Sequence, residues 1–218
     1  MVRYLTERGI RRSGARGGSR PLAPVTALLA VLAMAMLSAA CTYELRDPGV
    51  TAGCGPLRYT VTEHDIDLSA GRRAAIDDAV AEFGALVGRT VESIDDSGQV
   101  ASGNAPGDPV VFEFAWPDEQ PAGLGFAEPH VVGSSYEGGW VMLNPSLRNA
   151  PTGLIRRLVL HELGHLHGLE HVDDPGELMD PSLAAEEWGP GDLFGLFVTH
   201  DGGCPGATLV SAFEDAAG

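Results

Sequence analysis

The chain is 218 residues long and carries 14 basic against 30 acidic residues, a net charge of −16, with no lysine. Acidity of this degree argues against a nucleic-acid binder, which needs basic patches to neutralise phosphates, and against electrostatic docking on anionic lipid. Solubility is the simple reading of the charge, and steering of basic substrates is the functional one.

Residues 1–40 read as targeting. Arg3, Arg8, Arg11, Arg12, Arg16 and Arg20 precede an apolar run over 24–40 that ends in Ser38-Ala39-Ala40, the pattern of a signal peptide. The run is short for a membrane span, and an uncleaved anchor is the alternative. Leu37-Ser38-Ala39-Ala40-Cys41 resembles a bacterial lipoprotein signal, with its leucine one place further back than usual. Ordinary cleavage near Ala40 is the alternative to lipidation of Cys41. On either reading the remainder is exported, extracellular or held at the outer face of the cell membrane, and touches membrane only through its N-terminal lipid or anchor. From Cys41 onward the net charge is −21.

Three cysteines are an odd number for an exported chain. If Cys41 carries lipid, Cys54 and Cys204 remain as a disulfide pair in an oxidising compartment. The alternatives are that both stay free or that Cys54 pairs with Cys41. Residues 41–53 are expected to be a linker or tether, and 54–218 one domain with a real core, expected to be monomeric.

In chain order, 57–61 alternates apolar and polar residues as a strand does. Ser69 is placed to cap a helix whose stripe is Ile76, Val80, Phe83 and Val87. Ala75, Ala79 and Leu86 widen that face, Gly84 weakens it and Gly88 ends it. Strands are expected at 90–94 and 110–116, with a loop over 95–109. Two short strands, 124–127 and 140–143, flank an expected surface loop at 128–139. Thr152 is placed to cap a helix with Leu154, Ile155, Leu158 and Val159 on its buried side. A last helix is expected over 190–198, with Pro190 in its first turn. The fold class is α/β (α+β): a small sheet with three main helices and no Rossmann fingerprint.

The helix from 152 runs into His161-Glu162-Leu163-Gly164-His165-Leu166-His167-Gly168-Leu169-Glu170-His171. Positions i and i+4 share a helical face, so His161 and His165 can meet one metal ion, with Glu162 beside it. Gly168 lets the chain turn sharply and His171 returns as the third ligand. Three imidazoles leave a fourth position open, the arrangement of a catalytic zinc. His167 lies off the ligand face and is expected to be partly exposed and non-liganding. His130 has no assigned role.

These eleven residues resemble the signature of metzincin zinc peptidases. Glu177-Leu178-Met179-Asp180-Pro181 resembles the methionine turn of that family, in the form of its matrixin branch, which includes the matrix metalloproteases. The resemblance implies a zincin-like catalytic domain in which His161, His165 and His171 bind one zinc ion, Glu162 is the base and Met179 is the turn residue. It also implies a five-stranded, mostly parallel, twisted mixed sheet with one antiparallel edge strand, here Gly123, Leu124, Gly125, Phe126 and Ala127, that binds a protein or peptide substrate in extended form. The implied activity is a zinc endopeptidase acting on extracellular or surface-accessible proteins. Val172 departs from the serine usual in matrixins, and Cys54-Gly55 lacks the rest of a cysteine-switch pattern, which leaves inhibition of zinc by the Cys54 thiolate as a lesser reading. Calcium binding by Asp173, Asp174 and Asp180 is weighed against simple solvent exposure, which is preferred. The rival functions are a non-catalytic zinc-containing surface binding protein, which has no need of Glu162, and hydrolysis of a non-protein substrate on the same scaffold.

Overall fold

The computed structural model describes residues 42–62, 68–94, 109–115 and 123–216. Residues 1–40, expected to be a signal peptide, together with Cys41, Trp116 and most of the expected 95–109 loop, lie outside the described residues. Among the described residues six strands form one sheet: β1 (Thr51–Ala52), β2 (Leu57–Thr62), β3 (Val91–Ser93), β4 (Val110–Glu113), β5 (Gly125–Val132) and β6 (Ser135–Leu143). Among them, too, four α-helices accompany it: α1 (Ala70–Val87), α2 (Thr152–Leu166), α3 (Pro190–Thr199) and α4 (Leu209–Ala216). Among the described residues, no helix is long and apolar enough to cross a membrane.

All strand pairs are parallel except one. β2 lies between β3 and β4, β4 pairs with β6, and β5 runs antiparallel along the whole of β6. Since β5 occupies one edge of β6, β1 and β4 share the other. The result is an α+β fold with a mixed sheet whose single antiparallel strand is at its edge.

The expected stripe of α1 is its buried face: Ile76, Val80, Phe83 and Val87 are all fully buried. Ser69 stands at the N-cap position, but its hydroxyl accepts from Arg72 Nη1 at 2.9 Å instead of capping the helix. Gly88 closes α1 in the left-handed region, with φ of +76°, as a C-terminal glycine does. Gly84 has a use the helix pattern hides: a Cβ there would lie 2.3 Å from Val91 Cγ2. Helix α1 can approach β3 only because that atom is missing.

Three expectations change in the structure. First, 128–139 is not a surface loop. Strand β5 continues to Val132 and β6 begins at Ser135, so only Gly133-Ser134 turns, with Gly133 at φ +64°. Gly, Pro and Glu in these strands mask the pattern; the antiparallel ladder holds them, with the register shift of a bulge between His130 and Val131. Second, 190–198 is not the final helix, because α4 follows it and buries Leu209. Third, residues 42–52 do not hang free. Arg46 N donates to Gly168 O, Thr51 N donates to Ser134 O, each at 2.9 Å, and β1 joins the sheet beside β6. Tyr43 and Leu45 alternate with Glu44 and Arg46, a strand pattern too short and too charged to stand out.

Helix α2 starts one residue earlier than a Thr152 cap requires, with Pro151 at the N-cap position. Ile155, Leu158, Val159, Leu160, Leu163 and Leu166 bury its side against the sheet and α1. Cys54 and Cys204 are disulfide-bonded across 150 residues, with Cα atoms 5.4 Å apart, which removes the reading of Cys54 as a zinc-directed thiolate. The bond is seconded by main-chain contacts, Cys204 N to Val87 O and Thr208 N to Leu86 O, that lay the C-terminal segment on the end of α1. Replacing both cysteines by alanine is expected to cost about 2–4 kcal/mol, read as a lower urea midpoint with metal content unchanged.

Candidate metal centre

The site is built where α2 ends. His161 and His165 occupy its last two turns and are almost wholly buried, and His171 returns from the segment after Gly168. Gly168 is required twice over. Its φ is +92°, and a Cβ would lie 2.7 Å from the Tyr136 ring. The chain can therefore reverse only with glycine there.

The three imidazoles converge through Nε2. His171 Nε2 lies 3.0 Å from His161 Nε2 and 3.1 Å from His165 Nε2. The opposite nitrogens decide the chemistry. His161 Nδ1 donates to Leu178 O at 2.7 Å, and His165 Nδ1 donates to Leu169 O at 2.8 Å. A carbonyl can only accept, so both rings carry their proton on Nδ1 and turn a lone pair inward. Burial, seconded by the neighbouring rings, keeps them neutral, lowering His161 to about 4 and His165 to about 3; burial lowers His171 too. Neutral lone pairs gathered this closely are the donor set of a divalent cation, and these three histidines can hold one metal ion.

Glu162 sits beside them, 3% exposed, with Oε2 making no hydrogen bond. Burial raises its carboxyl to about 8, and Arg46 offsets part of that rise. Its other oxygen packs on the backbone of Gly125, where a Cβ would lie 2.2 Å away. Gly123, Leu124, Gly125, Phe126 and Ala127 line one wall of a cleft of about 460 Å³ that also contains Glu162 and the three histidines. Pro181 and Leu183 stand in the same cleft, as does Arg46.

Met179 is buried beneath the histidines, and its position explains Gly164: a Cβ on Gly164 would lie 2.5 Å from Met179 Sδ. The turn is held by two buried carboxylates that pattern reading missed. Asp192 accepts from Leu178 N, Met179 N and Gly189 N. Glu177 accepts from Gly191 N and Asp192 N, both at 2.9 Å. Burial, then the Glu177 carboxylate, raises Asp192 to about 7. Asp192 follows Pro190 at the third position of α3, where an acid bonding back is a known N-terminal signal; that was the available hint.

His167 is non-liganding but not partly exposed. It is 3% exposed, donates from Nδ1 to Leu163 O at 2.8 Å and accepts at Nε2 from Arg89 Nη1 at 3.1 Å. Its ring stacks on His200 and meets Phe83. A 3.6-residue period carries it from the ligand face to the core between α1 and α3. The aspartates form no second ligand cluster among the described residues. Asp173 is exposed, whereas Asp180 is buried and accepts from the Ser182 hydroxyl and amide. His130 lies on β5 with Nδ1 buried and unpartnered.

No protein-family model and no curated protein matches the chain. Among solved structures it is similar to a zinc-dependent peptidase from Methanocorpusculum labreanum, at 14% identity over 64% of this chain and 98% of that one, with a TM-score of 0.41. It is also similar to the GM1-bound form of the ECX AB5 holotoxin, at 16% identity over 62% of this chain and 61% of that one, with a TM-score of 0.37. Likenesses at this level carry no functional argument, which rests on the histidines and the cleft.

Two outcomes follow from the packing. Gly164→Ala is expected to destabilise by about 1–3 kcal/mol through overpacking against Met179, measured by thermal unfolding. His200, lowered to about 4 by burial, contributes stability that is present above its unfolded value near 6.5 and lost as pH falls through about 4. Removing it by His200→Gln should flatten the stability–pH curve between pH 6.5 and 4, by about 3 kcal/mol over that window. An unchanged slope would show that the ring gains its proton without cost.

Proposed function

We propose that this chain is a zinc-dependent endopeptidase of the metzincin type, nearest the matrixin branch, that cleaves extracellular or surface-accessible proteins. The observation that supports it most is the convergence of the Nε2 atoms of His161, His165 and His171 beside a buried, unpartnered carboxylate oxygen of Glu162. A purely structural zinc is enclosed by four protein ligands; here the fourth direction opens on a cleft.

His161, His165 and His171 would hold the ion. Zinc bound there would polarise a peptide carbonyl and acidify water. Glu162 takes the proton of the attacking water and returns it to the leaving amine. Its carboxyl stands in the same cleft as the three histidines, which is the placement both steps need. Strand β5 offers its free edge to an extended peptide, so that main-chain hydrogen bonds place the scissile bond and the cleft walls choose the side chains. Met179 supplies a soft apolar floor under the ligands. Export and acylation of Cys41 belong to the same proposal, and both are read from the leader.

Glu162→Ala should retain zinc and lower kcat/KM on a casein-derived peptide by about 10²–10⁴-fold. A chelator should abolish wild-type cleavage, and added zinc should restore it. A zinc-loaded wild type without peptidase activity would favour the non-catalytic binding protein. Loss of zinc in step with activity in Glu162→Ala would remove the base assignment.

A further inference from the structure

The three ligands are not supported alike. His161 and His165 each have Nδ1 held by a backbone carbonyl, whereas His171 has no such partner among the described residues and is exposed. Its ring can be placed only by the main chain that carries it. That main chain is the segment Gly168-Leu169-Glu170, and its outer edge is paired. Arg46 N donates to Gly168 O and Glu170 N donates to Glu44 O, both at 2.9 Å, so that Leu45 and Leu169 form an antiparallel bridge.

The side chains close the same contact. Arg46 Nε lies 2.6 Å from Glu170 Oε1, and both groups are about one-third exposed. On the opposite side, Leu169 packs on α3, where a Cβ on Gly195 would lie 2.6 Å from Leu169 Cδ2 and 3.5 Å from the Tyr43 ring. The inner carbonyl of this tripeptide, Leu169 O, is the one that orients His165. Two of the three ligands therefore depend on the placement of one short segment.

We propose that residues 44–46, expected from composition to be tether, are a strap that positions the third metal ligand, with Arg46 as a positioning residue acting through Glu170 and Gly168 on His171. The inference rests on the metal-centre reading above. It assigns the segment just after the leader a place in the active structure, since residues 44–46 hold the metal loop from outside. Partners that orient metal ligands characteristically change metal affinity by 10–100-fold when removed.

The test is zinc release from the full-length holoprotein into excess chelator, at fixed pH and ionic strength, with the thermal midpoint of the metal-free form measured alongside. Arg46→Ala and Glu170→Ala should each release zinc about 10-fold faster. Arg46→Pro, which also removes the backbone donor to Gly168 O, should release it faster still. The exchange Arg46→Glu with Glu170→Arg restores the ion pair and should return release to within about 3-fold of wild type. Arg58→Ala, which breaks an exposed pair with Glu92, should release zinc at the wild-type rate.

A strap acting on the ligand shows itself by faster zinc release with little change in the metal-free midpoint. Equal release from wild type, Arg46→Ala and Arg46→Pro would overturn the proposal while leaving the zinc peptidase reading intact. So would single-variant losses that the charge exchange fails to rescue, because Arg46 would then act directly in the cleft. A wild type that binds no zinc would instead overturn the reading on which the strap depends. If Arg46→Pro does not fold, Arg46→Gln keeps the backbone contact and reports on the ion pair alone.

Discussion

Bringing two imidazole nitrogens to about 3 Å from a third is costly unless something positive sits among them. Each ring must be neutral, because burial penalises the imidazolium form, and each must turn a lone pair toward the others. The protein solves the orientation by spending main-chain carbonyls, Leu178 O and Leu169 O, on the outer nitrogens of His161 and His165. Leu178 belongs to the Met179 turn and Leu169 to the segment after Gly168. Neither carbonyl would stand where it does if the chain failed to reverse at Gly168 or to pass beneath the helix at Met179. Much of the architecture around α2 follows from those two placements.

The turn beneath the site depends on a second unfavourable arrangement. Glu177 and Asp192 are both buried, and each accepts from its own set of backbone amides. Burial, and after it the Glu177 carboxylate, raises the Asp192 carboxyl. The amides they accept from belong to the turn and to the start of α3, whose unpaired N–H groups favour an anion. The pair thus fastens α3 to the Met179 turn, and α3 in turn packs Gly195 against Leu169. The floor of the site and the segment carrying His171 share one support.

Much of this was legible in the residues. The buried face of α1, the left-handed Gly88, the run of α2 into its histidines and the Pro190 start of α3 all follow from helical period and local backbone chemistry. Those are short-range properties, and single-chain patterns report them well. What the patterns hid was long-range. The β5–β6 hairpin contains Pro129, Gly138 and Gly139, and it exists because each strand pairs with the other rather than because either favours extension. Arg46 reads as one charge in a polar stretch until the fold sets it against Glu170, 124 residues away. His167 sits at a position that helical geometry correctly removes from the ligand set. Its burial depends on α3 and Arg89, which are remote in sequence.

The edge strand shows how one residue can limit a surface. Among the described residues β5 is paired on one side only, and such an edge is a template for unwanted association. Pro129 lies at the fifth position of β5 and has no amide hydrogen, a substitution tolerated at an edge and poorly inside a sheet. It interrupts any ladder laid along the whole strand, and the register is irregular just beyond it, between His130 and Val131. Only the part from Gly125 to Glu128 remains uninterrupted, and its first three residues line the cleft beside Glu162 and the histidines. The uninterrupted stretch of the edge is therefore the one that borders the three histidines and Glu162, whereas Pro129 and the bulge fall on the part that runs away from them.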